Sequence, residues 1–142
     1  MIFICGNTPS LKNSKVKGIY HSPTVTKYLR SLGIQGYSAS KKTVKEYKDP
    51  NRPNLFRQYV GNYFEGVKYP ILLGVHPVRN SRRKADFHNI CHIIFDLLVA
   101  HDLIPDDNMD YIFPSPMSIN GQYYSISKEA PGVYLKILED QS

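Results

Sequence analysis

The sequence predicts one α/β (α+β) domain over residues 1–142, a mixed β-sheet with helices packed on it. Three observations carry that expectation. A chain of this length buries roughly 68–70% of its unfolded surface, so it can build its own core. Apolar, β-branched runs and amphipathic segments follow one another as β, loop, α, loop, α, β, α, β and a closing β pair. Such an order sets helices against a sheet. No repeat or low-complexity stretch interrupts it.

Met1–Cys5 is apolar and predicts the first strand, and the polar run from Gly6 to Gly18 predicts a loop. Ser22-Pro23 opens a helix, with serine as N-cap and proline in the first turn, and Gly33 stops it. Residues 35–52 are polar and basic and predict a mobile loop with at most a short strand. Pro53 starts a second helix through Leu55, Tyr59 and Phe64, closed by Gly66. Val67–Val78 is β-branched and predicts a buried strand.

The strongest helical pattern runs from Phe87 to His101. Phe87, Ile90, Cys91, Ile94, Leu97 and Leu98 recur on one face. Pro105 ends that segment. Met109–Phe113 predicts a strand, Pro114–Gly121 a loop, and Tyr123–Ile126 and Val133–Leu138 two more strands.

Cys5 and Cys91 both lie in apolar runs and predict buried free thiols rather than a secreted disulfide framework. The apolar start is too short for a signal peptide, and no run approaches the roughly 20 apolar residues of a membrane span. An intracellular, cytoplasmic protein with no membrane partner is expected.

Charge is divided along the chain. Residues 1–85 carry 16 Lys/Arg and 3 Asp/Glu, whereas residues 86–142 carry 2 and 9. A basic half supplies counter-charge to a polyanion such as DNA, and an acidic half gathers carboxylates for a cation.

The second half also holds the candidate chemistry. His88, His92 and Asp96 are spaced i, i+4, i+8 and predict a polar ridge opposite the helix's core face, with Asn89 beside them. Asp86 stands at the helix start, where a carboxylate is favoured by the dipole. Asp106 and Asp107 follow the helix. If they begin a strand, their side chains point to opposite faces and one of them can approach Asp86. Oxygen ligands gathered in this way suit Mg²⁺ or Mn²⁺. A Zn²⁺ site on His88, His92 and Asp96 is the competing metal reading. Arg82, Arg83 and Lys84, just before Asp86, with Lys12 and Lys15 in the first loop, are candidate DNA-phosphate contacts.

The stretch Asp86-Phe87-His88-Asn89-Ile90-Cys91-His92, then Asp96, then Leu103-Ile104-Pro105-Asp106-Asp107, resembles the RusA-type Holliday-junction resolvases of bacteria and their phages. That family carries D-x-D-N-x-x-K, a helical aspartate and a D-D pair. Gly6-Asn7-Thr8-Pro9-Ser10-Leu11-Lys12-Asn13-Ser14 looks like a version of its opening segment, and His21-Ser22-Pro23 is a loose counterpart of a Pro-Ser segment that follows.

The resemblance implies a homodimeric, Mg²⁺-dependent (or Mn²⁺-dependent) endodeoxyribonuclease that resolves four-way junctions in recombination and repair. Asp86 and Asp107 match metal-binding aspartates, and Asp106 matches their acidic neighbour. Asn89 matches the family asparagine, and Asp96 the helical aspartate. His88 stands where a second metal-binding aspartate is expected, and His92 where a catalytic lysine is expected. The implied catalytic set is therefore Asp86, His88, His92 and Asp107, with metal held by Asp86, His88, Asp106 and Asp107. A catalytically impaired branched-DNA-binding relative is the alternative, and an interaction protein that keeps only the fold is a third.

Overall fold

The central strand of the molecule, Ile71–Arg79, is flanked on both edges in a mixed sheet. The computed structural model describes residues 1–10, 15–17 and 20–141. In chain order the elements are β1 (Ile2–Cys5), β2 (Lys15–Lys17), β3 (Tyr20–His21), α1 (Pro23–Ser31), β4 (Ile34–Ser38), β5 (Thr43–Glu46), α2 (Leu55–Val60), β6 (Ile71–Arg79), α3 (Phe87–Ala100), β7 (Ile112–Pro116), β8 (Ser125–Ile126) and β9 (Gly132–Glu139). They form a single α+β domain.

The main sheet runs β1-β9-β6-β7, with β8 also paired to β6. β9 is antiparallel to both β1 and β6. β7 is parallel to β6 from Ile71↔Ile112 to Val75↔Pro116, and β8 is parallel to it at Val78↔Ser125 and Arg79↔Ile126. β7 and β8 therefore lie one after the other along the edge that β9 leaves open. β6, α3 and β7 make a parallel crossover unit. β2 with β3, and β4 with β5, form separate antiparallel ribbons.

Burial explains why these segments settle here. Ile71, Leu73 and Val75 of β6 are at most 1% exposed and join Ile4, Val133 and Leu135 of the neighbouring strands. Ile90, Ile93, Ile94 and Leu97 of α3, Val25 and Leu29 of α1, and Phe56 of α2 complete the same core. Each large side chain buried this way contributes about 1.5–3 kcal/mol. At the start of α1 the Ser22 Oγ accepts from the Val25 N–H, as the Ser-Pro signal predicts. Gly33 follows α1 at φ +77°, and a Cβ there would stand 2.0 Å from the Pro53 carbonyl oxygen. Only glycine fits.

Several expectations are corrected. Residues 35–52 are not a mobile loop. They contain most of the β4–β5 hairpin, and Tyr37 is fully buried. The first loop contains β2, while its residues 11–14 and Gly18 lie outside the described residues. The second helix begins after its N-cap Asn54 and closes at Gly61, not Gly66. The long strand begins at Ile71 rather than Val67, because Pro70 has no N–H to give a ladder. β7 lies three residues later than the Met109–Phe113 pattern suggests. β8 and β9 are not partners, since each pairs with β6 instead. Cys5 is exposed, whereas Cys91 is buried as expected, and burial pushes its thiol up to about 12.

Candidate nucleic-acid interface and carboxylate cluster

A cavity of about 790 Å³ opens where β6 and β7 end and α3 begins. Pro77 and Arg79 of β6 and Ser115 and Pro116 of β7 form its floor, and Phe87 and Ile90 its helical wall. The carboxyl ends of parallel strands beside a crossover helix are the usual ligand position in α/β sheets. Arg82, Arg83 and Lys84 line the cavity from the turn between β6 and α3, and all three are exposed. Among the described residues, its charged lining is entirely cationic.

The fourth cation, Arg79, is anchored. Its guanidinium donates to the Thr8 carbonyl, and partial burial lowers its pKa from the ordinary arginine value. It remains a cation, because arginine does not deprotonate in proteins. Thr8 is itself fully buried, and its hydroxyl bonds the Tyr28 hydroxyl at 3.0 Å. Beside it, the Asn80 N–H donates to Asn7 Oδ1 at 3.2 Å, and Asn89 Nδ2 donates to the Ser10 carbonyl at 2.9 Å. The Asn7–Ser10 segment is thus stitched to the end of β6 and to the first turn of α3. Asn89 holds this loop. Lys12 lies outside the described residues. Lys15 is described only as the first residue of β2.

Tyr123 and Tyr124 close the cavity from the other side and also line a second hollow of about 500 Å³, together with Arg82, Gln122 and Ile126. The two tyrosines are 63% and 51% exposed. The sequence offers its 11 tyrosines in general as stacking groups for unpaired bases at a junction, but it singles out neither Tyr123 and Tyr124 nor Arg79. An adjacent tyrosine pair just after Asn120-Gly121 was the available signal, but nothing local ties it to the Arg82 turn.

The acidic residues occupy two places. Asp86 caps α3, its Oδ1 accepting from the N–H groups of His88 (2.9 Å) and Asn89 (3.2 Å). Asp106 and Asp107 follow α3 in the chain, and Asp107 comes within electrostatic reach of His92 on that helix. They are in a turn rather than a strand, so the alternation argument fails. The Asp107 N–H donates to Asp106 Oδ1 at 2.8 Å. Desolvation raises the Asp107 pKa first, and the hydrogen bond and charge of Asp106 raise it further, while His92 acts in the opposite sense.

The expected polar ridge is only half present. His88 and His92 are exposed, but Asp96 is buried at 5% exposure. Its Oδ2 lies 3.2 Å from His92 Nε2 and 3.5 Å from the Tyr37 hydroxyl. β4 packs against α3 here, a contact no pattern within α3 could reveal. The His88 ring lies 5.9 Å from that of Phe87, edge to face.

No group of three His, Cys, Asp or Glu side chains able to hold a metal occurs among the described residues. This argues against a cage built wholly by the protein, including the His88–His92–Asp96 zinc reading. Mg²⁺ needs less. It is commonly held by one or two carboxylates, with water and substrate phosphate filling the rest of its shell. The Asp106–Asp107 pair meets that requirement, because burial and then the neighbouring Asp106 carboxylate raise the Asp107 pKa, and a cation would relieve both. No helix among the described residues is long and apolar enough to cross a membrane. No family model, curated protein or solved structure matches the chain.

Proposed function

We propose that this chain binds branched DNA and cuts it as a metal-dependent endodeoxyribonuclease of the RusA type, in recombination and repair. The observation that carries the DNA part is that, among the described residues, every charged side chain lining the cavity at the start of α3 is a cation. Arg82, Arg83 and Lys84 hold backbone phosphates there, contacts that fix position without reading sequence. The cutting part rests on the resemblance and on the Asp106–Asp107 pair.

Asp106 and Asp107 would hold Mg²⁺ or Mn²⁺, with water and substrate phosphate completing its shell, while Asp86 and His88 stay at the helix start and are not gathered with them among the described residues. An ion bound there would supply Lewis-acid polarisation of the phosphodiester and a lowered pKa for an attacking water. His92, when protonated, is held on Asp96 and presents positive charge to the strand. A homodimer working in the cytoplasm, with one cut per subunit, completes the proposal.

A second reading is a branched-DNA-binding protein without cleavage. It is favoured by His92, which is engaged by a buried carboxylate, and by Asp86, one of whose oxygens is occupied by capping. One experiment separates the two. A synthetic four-way junction is incubated with the protein and Mg²⁺ or Mn²⁺, beside an Asp107→Asn variant. Metal-dependent nicking that the variant lacks supports the nuclease. Tight binding without nicking supports the second reading, and no binding to branched DNA sinks both. Sedimentation of the free protein tests the dimer, and a lone 16.3 kDa species overturns it.

A further inference from the structure

We propose that Tyr123 and Tyr124 form a stacking platform for unpaired nucleobases, so that single-stranded or locally unpaired DNA is preferred over continuous duplex. This rests on the DNA-binding reading and names the part of the substrate that the tyrosine side of the cavity recognises.

The first support is the pairing of aromatic surface with positive charge. Scattered exposed aromatics are ordinary. Here two adjacent tyrosines, both more than half exposed, share two neighbouring hollows with Arg82. Nucleic-acid strands are bound without sequence preference by this combination, a cationic groove for the backbone and aromatic faces for the bases. Bases in continuous duplex stack on one another and have no free face to offer. The larger hollow, about 790 Å³, lies within the range of roughly 300–1,000 Å³ that ligand pockets occupy.

The second support is rigidity. Asn120 (φ +53°) and Gly121 (φ +78°) form a tight turn, closed by reciprocal bonds between the Ile119 and Gln122 backbones at 2.9 and 3.1 Å. Positive φ at both central residues is the signature of a tight hairpin turn that Asn-Gly favours. His76, fully buried on β6, then ties down both ends of this arm. Its Nδ1 lies 2.7 Å from the Met117 carbonyl oxygen, and its Nε2 lies 2.7 Å from Ser125 Oγ. The carbonyl can only accept, so Nδ1 donates to it, while Nε2 shares a hydrogen bond with the serine hydroxyl. The His76 imidazole thus holds the segment that bears the tyrosines against the sheet. An exposed aromatic pair presented this way loses little freedom when a base stacks on it.

The test measures affinity by fluorescence anisotropy. The probes are a labelled single-stranded oligonucleotide and the duplex of the same sequence. The proteins are the wild type, the double variant Tyr123→Leu/Tyr124→Leu, and the double variant Tyr123→Phe/Tyr124→Phe. Both tyrosines are exposed, so the variants should fold, and thermal unfolding checks this. The wild type is expected to favour the single strand. The leucine variant should lose about tenfold or more on the single strand and less than about twofold on the duplex. The phenylalanine variant should stay near wild type, because the ring and not the hydroxyl does the stacking. Equal losses on both probes, no loss on either, or a phenylalanine variant as weak as the leucine one overturns the platform. So does a leucine variant that dissociates a wild-type dimer in sedimentation, which would assign the tyrosines to a second copy of the chain. A junction that is bound but never nicked, with the single-strand preference intact, defeats the nuclease reading and leaves the platform standing.

Discussion

His92 Nε2 lies 3.2 Å from Asp96 Oδ2, one helical turn along α3, with the imidazole 65% exposed and the carboxylate 6%. The pair therefore bridges solvent and core. Its inner member also reaches the Tyr37 hydroxyl of β4 at 3.5 Å, so it links the helix to the hairpin beneath it. Burial first, and then the nearby Asp96 carboxylate, raise the Tyr37 pKa, which keeps that hydroxyl a donor.

Asp96→Ala is expected to destabilise the fold by about 1–3 kcal/mol, since it strips a buried donor of an acceptor. His92→Ala removes only the exposed partner and should cost less than about 1 kcal/mol. Urea unfolding at constant m-value measures both. An Asp96→Ala midpoint equal to wild type would show that the carboxylate does not hold the hairpin to the helix.

Asp86 has two candidate roles that substitution can separate. Asparagine keeps an oxygen for the His88 and Asn89 N–H groups, whereas alanine keeps none. Asp86→Asn should stay near wild-type stability, and Asp86→Ala should lose about 0.5–2 kcal/mol. If the carboxylate approaches the metal, junction cleavage is lost in both variants. Full cleavage by Asp86→Asn would reduce the residue to a helix cap.

The fold should weaken in mild acid through His101. Its side chain is 2% exposed, its Nδ1 donates to the Leu97 carbonyl at 2.6 Å, and its ring sits 4.6 Å from that of Phe56. Desolvation lowers its pKa to about 4. The unfolded histidine titrates near 6.5. Between those values the unfolded chain takes a proton that the native chain refuses. Stability is therefore complete above about pH 6.5 and declines as pH falls towards about 4, by about 3 kcal/mol in all. Asp107, with its raised pKa, opposes this in the acid range, because its protonation relieves the native state. Comparing unfolding midpoints of wild type and His101→Gln from pH 7 to 4 isolates the histidine. Parallel pH profiles for the two proteins would refute its role.

The helix that carries the candidate site was legible, because α3 combines a strong apolar period with an aspartate cap. The fold class followed from the alternation of runs. The β4–β5 hairpin was not legible. Its lysines read as loop, and the burial of Ile34, Tyr37 and Ser38 shows that one side faces the core. Asp96 was misplaced for the same reason: helical spacing gives the angle of a side chain about its own axis, not what lies across from it. The Asp106–Asp107 turn displaced the expected strand because Tyr111 and Ile112 both donate to the Asn108 carbonyl, which turns the chain before β7 can begin. Arg79 and the tyrosine pair reach the cavity through the β6–β8 pairing, a contact between residues more than 40 positions apart.

The salt dependence of DNA binding tests the basic turn directly. Each phosphate contact releases condensed counterions, and log K falls with log salt at about 0.9 per contact on duplex DNA. Arg82 and Arg83 are exposed and line the cavity, so removing them should leave the fold intact. The double variant Arg82→Ala/Arg83→Ala is expected to lower the slope by about 2 and to weaken binding equally across sequences. Arg79→Ala should behave differently, because that guanidinium holds the Thr8 carbonyl and its loss loosens the Asn7–Ser10 loop. It should lower thermal stability as well as affinity. A double variant with an unchanged slope would place the phosphates elsewhere and remove the cavity's cationic lining from the binding surface.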